Sequence, residues 1–172
     1  MTLSDIANIV EIVGILAILY GLFFGAVQLR QNRSQQRDLA ILECTRLFEN
    51  DEFTEAYRLV QELPSGVTKK QLDEHDVHYN SAALRIVMKF EAIGMLVHRG
   101  VIPLDAADDL VGGAAIAVWE KLEVYIRETR TTSSNPFFME WFEWLVDRLK
   151  QHLTMDREPA FVAHANWNEP NT

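Results

Sequence analysis

The 172-residue chain is 48% apolar and 24% charged, with 16 Lys and Arg against 25 Asp and Glu, a formal net charge of −9. That length holds one domain with an appendage rather than two full cores, and the acidic balance argues against a nucleic-acid binder. A single cysteine, Cys44, excludes an internal disulfide framework and any Cys-rich zinc site.

The first element in chain order is apolar. Ile12 to Val27 reads IVGILAILYGLFFGAV without a charged side chain, and the stretch from Ile6 to Leu29 is interrupted only by Asn8, Glu11 and Gln28. A helix of that length rises about 36 Å and crosses a hydrocarbon core of about 30 Å with some tilt. A cleaved signal peptide would start basic and end at a small-residue site, whereas MTLSDIANIVE carries no Lys or Arg and the run leads into bulky residues. The reading is a transmembrane helix. Arg30, Arg33 and Arg37 follow it and nothing basic precedes it, which predicts a single-pass inner-membrane protein with its N-terminus outside and the remainder cytoplasmic. The three arginines are candidates for contact with lipid headgroups.

One face of this helix is lined by Glu11, Gly14, Ile18, Gly21, Gly25 and Gln28, and continues to Asn32. Gly21 and Gly25 form a small-xxx-small pair, which lets helix backbones approach closely in a bilayer. Three readings stay open: ordinary membrane glycines with Glu11 at headgroup level, a self-association seam, and a pore lined by this stripe. Pores use acidic rings and apolar constrictions, and a single span lines one only by oligomerising.

After the span, 23 residues without Gly or Pro predict that the helix continues through a basic juxtamembrane segment, 30–50. A second helix runs from Asp51 to Leu63 with Phe53, Tyr57 and Val60 on one face, and PSGVTKK is a loop. A third runs from about Glu74 to His98, with Leu84, Val87, Ile93, Leu96 and Val97 as core, and is stopped by Gly100 and Pro103. A fourth starts at Asp105, as N-cap, with Asp108 completing something close to a capping box. Its Gly112–Ala115 patch suits close packing. A fifth runs from Pro136 to about Leu153, and residues 154–172 read as an extended tail. No strand pattern is present, so the fold class is all-α: one N-terminal transmembrane helix (1–29) continuing through 30–50 into a bundle of four or five helices (51–153).

The span flowing into QLRQNRSQQR, then FEAIGMLVHRGVI, then VWEKL and FMEWFEWLVDRL resembles an uncharacterised bacterial family of single-span membrane proteins with a cytoplasmic all-helical domain. The resemblance reaches to about Leu153. It implies this architecture and carries no catalytic residue with it.

Candidate chemistry is thin. His75 and His78 in DEHDVHYN share a helix face, but no further His or Cys segment completes a three- or four-ligand metal set. Arg157 and His164 have the loose spacing of one class of helical-bundle ribonucleases, broken here by Pro159 and flanked by acids. Phosphate loops and nucleophile elbows are missing from the sequence. No cofactor, metal or catalytic residue is assigned, and the chain is read as non-enzymatic. In the aromatic helix, Phe138, Trp141 and Trp144 are candidates for core or for contact with a cytoplasmic protein partner. The expected function is a membrane-anchored, self-associating assembly or interaction module, with the lipid bilayer and further copies of itself as partners. A homo-oligomeric pore is the alternative, and a membrane-tethered nuclease or metal enzyme is the third option.

The −9 is a sum of unlike parts. Residues 1–29 carry −2, residues 30–37 carry +3, and residues 38–172, with 13 basic against 23 acidic side chains, carry −10.

Overall fold

A computed structural model describes residues 14, 18–28, 35, 39, 41–42, 45–46, 48, 51–153, 158 and 160–167, and every regular element among them is helical. The chain divides into two units, Met1–Leu42 and Glu43–Thr172. In the first, residues 18–28 form a continuous helix. None of the described helices is long and apolar enough to cross a membrane. Most of the predicted span and juxtamembrane segment, including Glu11, Arg30, Asn32, Arg33 and Arg37, lies outside the described residues.

The first long helix of the second unit is α1 (Asp51–Glu62), whose first turn carries Asp51 and Glu52 where the helix dipole favours anions. Its inner face buries Ala56 and Val60, and Leu63 follows just past its end. Pro64 and Gly66 then break the chain as expected, but the loop ends sooner than predicted. Thr68 caps a short helix, α2 (Lys69–Glu74), through a reciprocal capping box with Gln71. Gly66, at φ +69°, lets the loop turn so that the Gly66 and Val67 amides donate to the Glu120 and Lys121 carbonyls at 2.9 and 3.0 Å.

The predicted third helix starts later than expected. Asp76 accepts the His78 amide at 3.0 Å and opens α3 (Val77–His98). This helix buries Ile86, Val87, Phe90 and Ile93 completely. Leu84, assigned to the core from sequence, points outward at 42% exposure. Gly100 ends the helix at φ +68°.

The chain resumes with α4 (Leu104–Ala107), behind Pro103 rather than a side-chain cap; the Asp105 carboxylate reaches only the adjacent Ala106 amide. Asp108 is therefore not a capping residue. It opens a π-helical turn, Asp108–Gly112, that leads without interruption into α5 (Gly113–Thr132). The final long helix, α6 (Glu140–Leu153), begins four residues after the sequence boundary, because Pro136 to Met139 form turns. The tail, expected to be extended, contains a short helix, α7 (Ala160–Ala163), and residues 160–167 are exposed throughout.

Phe142 of α6 is fully buried at the centre of the unit. Its ring stacks on Phe90 at 5.1 Å and takes the edge-on contact of Trp119 at 5.3 Å, so α3, α5 and α6 meet on one side chain. Phe142→Ala is expected to cost about 3–5 kcal/mol. Chemical denaturation of the purified chain checks this; a loss comparable to that of a surface substitution would contradict it.

Candidate functional site

Four features stand out. The first is the 18–28 helix, where Ile18, Leu19, Tyr20, Leu22, Phe23, Phe24 and Val27 are each between 37% and 71% exposed. Gly14, Gly21 and Gln28 are exposed and Gly25 is half-buried. Among the described residues, a Cβ added at Gly14, Gly21 or Gly25 would meet no atom within 4 Å. Ile18, Gly21, Gly25 and Gln28 of the predicted stripe thus share one open, apolar helix.

The second is the junction where α6 starts against α3. Gly94 sits under the Trp141 carbonyl, where any Cβ would collide with backbone. Three residues earlier, the half-buried Glu91 carboxylate accepts the Phe142 amide at 2.8 Å and also bonds the Trp141 amide. It caps a helix distant in sequence. Arg130 of α5 holds the same corner from the other side. Its guanidinium donates to the Phe138 and Met139 carbonyls at 2.7 and 2.9 Å and pairs with Glu143, which Arg127 also contacts. These bonds brace a turn in which Ser134 and Met139 both adopt positive φ, 51° and 55°, conformations that non-glycine residues rarely take. Of the three predicted partner-contact residues, Phe138, Trp141 and Trp144 are all half-buried. The Trp141 and Trp144 rings pack on His98 of α3 at 4.5 and 5.4 Å.

The third is an Asp–His pair. The Asp108 side chain is 5% exposed, with Oδ2 3.0 Å from Nδ1 of His152 in the last turn of α6. Its other oxygen lies over Gly112, where a side chain would collide with it. The pair ties the π-helical turn to the end of α6. Sequence reasoning missed both it and Glu91, because each partner lies more than forty residues away.

The fourth is an open groove of about 630 Å³ between α1 and the start of α3, lined by Glu52, Glu55, Leu59, Asp76, Ser81 and Arg85 among others. Of the paired histidines, His78 also lines it, highly exposed and 3.9 Å from Asp76, whereas His75 packs on Tyr79. Among the described residues, no three His, Cys, Asp or Glu side chains gather as a metal site. His164 lies in an exposed turn of the tail, and Arg157 and Cys44 fall outside the described residues.

The two junction carboxylates respond oppositely to pH. Burial raises the Glu91 pKa above the usual carboxylate value, outweighing the amide bonds that lower it. Folding therefore favours its protonated form, so its contribution is full in acid and is lost as pH rises through the raised value. Burial also pushes Glu143 up, but Arg130 and Arg127 outweigh it and hold the group below its ordinary value. Its contribution is present above the unfolded carboxylate pKa and is lost as pH falls through the depressed one. Glu91→Gln is accordingly expected to leave stability at neutral pH unchanged or slightly higher, while Glu143→Gln lowers it by about 1–3 kcal/mol. Denaturation midpoints at neutral and acid pH test the pair, and equal losses from both variants at neutral pH would overturn the assignment.

No curated protein and no solved structure matches the chain. Residues 8–149 match the family model described as a domain of unknown function, DUF4760. A match over that much of its length means that the chain belongs to the DUF4760 family.

Proposed function

We propose that the protein is a single-span, membrane-anchored assembly module. In this reading its N-terminal helix packs against the same helix of other copies, and its helical C-terminal unit stands in the cytoplasm. The observation that carries the reading is the outward face of residues 18–28: seven large apolar side chains exposed in eleven residues. Burying a side chain of that size is worth about 1.5–3 kcal/mol, so leaving the set in water is a liability on the order of 10 kcal/mol. A helix apolar on all sides belongs in lipid or inside protein.

The glycines favour self-association. Each glycine in a helix costs about 1 kcal/mol relative to alanine, and among the described residues Gly14, Gly21 and Gly25 have no neighbour that their missing side chains would accommodate. Close approach of a second helix gives those absences a purpose. Arg30, Arg33 and Arg37 set the orientation and meet anionic headgroups, while the −10 of residues 38–172 keeps the rest of the chain off the lipid surface. The reading needs no catalytic group, and neither the Asp108–His152 pair nor the groove supplies a set of reacting side chains.

The protein is expected to stay with membranes through alkaline washing and to need detergent for release. In detergent, Gly21→Leu combined with Gly25→Leu is expected to lower the mass of the native complex toward one protomer. An unchanged mass would refute the seam, and release by alkali alone would refute the anchor.

A further inference from the structure

The outward side of α3 is built for contact. Val77, Ser81, Leu84 and Met88 follow at steps of four, three and four, the spacing of a helix–helix seam. Val77 is 71% exposed, Met88 58% and Leu84 42%, and the stripe continues through half-buried Ala92 and Met95. The side of a helix that faces water normally carries charge. Here α3 buries Ile86, Val87, Phe90 and Ile93 inward and still presents an apolar line outward.

The stripe is complementary to itself. Two copies of α3 meeting antiparallel, about a two-fold axis between Ser81 and Leu84, set each Met88 against the other Val77. They also set each Leu84 against the small Ser81, large against small along the line. Charge agrees with this register. Arg85 flanks the stripe, and its contact with Glu52 is long, 3.8 Å, with both side chains more than half exposed. The same two-fold sets each Arg85 opposite the other copy's Asn80, one turn from Asp76 at the end of that copy's groove. A guanidinium suits that rim.

We propose that α3 is a second self-association surface, pairing antiparallel with the α3 of another copy across Val77, Ser81, Leu84 and Met88. The inference rests on the membrane-assembly reading in one respect: copies gathered by their N-terminal helices meet at high local concentration. It names a different surface, so the two are separable.

The test uses the full chain in detergent with Cys44→Ser removing the native thiol. Ser81→Cys is expected to form a disulfide-linked dimer on mild oxidation, and Asp147→Cys, at an exposed position on α6, is expected not to. Adding Leu84→Glu and Met88→Glu to Ser81→Cys should abolish the dimer while leaving the helical circular dichroism unchanged. If Ser81→Cys cross-links no better than Asp147→Cys, or if the two glutamates leave cross-linking intact, the proposal is wrong. That holds whether the stripe then faces another protein, lipid or water. Cross-linking with a complex mass indifferent to the Gly21 and Gly25 substitutions would sustain α3 pairing and refute the N-terminal seam. The reverse pattern would refute α3 pairing alone.

Discussion

The start of α6 is the constraint around which the C-terminal unit is arranged. Gly94 allows the backbone of α6 to lie directly on α3, and only a residue without a side chain fits beneath the Trp141 carbonyl. Contact that close buries the first amides of α6, which then need acceptors. Glu91, one turn before Gly94 on the same helix, supplies them. The glycine and the carboxylate are thus two halves of one solution: one creates the approach, the other satisfies the amides that the approach removes from water. Phe142 follows immediately and drops into the core between Phe90 and Trp119.

Arg130 completes this corner from a third helix. By donating to the Phe138 and Met139 carbonyls it holds a turn containing two residues at positive φ. Its pairing with Glu143 fixes α6 to α5 in the same place. At the far end of α6, His152 and Asp108 make the corresponding tie. The π-helical turn belongs to that arrangement: it opens on Asp108, and its closing Gly112 leaves room for the Asp108 carboxylate. The last long helix is therefore anchored at both ends by charged groups and in the middle by aromatic packing.

Much of the helical layout was legible from residues alone. The bounds of α1, the stop at Gly100 and the all-helical class follow from local signals: apolar spacing, a left-handed glycine, and runs without breakers. The helix α2 was legible too but overlooked, since Thr68 and Gln71 spell a capping box inside a segment read as loop. Leu84 was misassigned for a physical reason. In a helix that carries apolar residues on its outer face as well as its inner one, periodicity no longer separates inside from outside. Asp108 was misassigned because an acidic residue near a helix start suits a local role, and nothing local announces a histidine forty-four positions away. Glu91 left one trace, a carboxylate three residues before a helical glycine in FEAIG. Without knowledge of which helix crosses there, that trace has no meaning. In the N-terminal unit the apolar run and its glycines were visible at once, because they show in the composition of the segment itself.

The remote caps have a consequence for how this unit holds together. Beyond its own capping box, α2 relies on Glu128 of α5 for its first amide, at 2.7 Å, and α6 relies on Glu91 of α3. Lys121 of α5 likewise serves the Leu63 carbonyl just past the end of α1. The ends of these helices are finished by side chains that arrive only when the other helices are already in place. Secondary structure and tertiary structure are then one event rather than two. Such a unit melts in a single cooperative transition, and a fragment cut between any of these helices loses the ends of what remains. Insertions or truncations inside residues 51–153 would be felt throughout, whereas the exposed residues 160–167 could be removed at little cost to the rest.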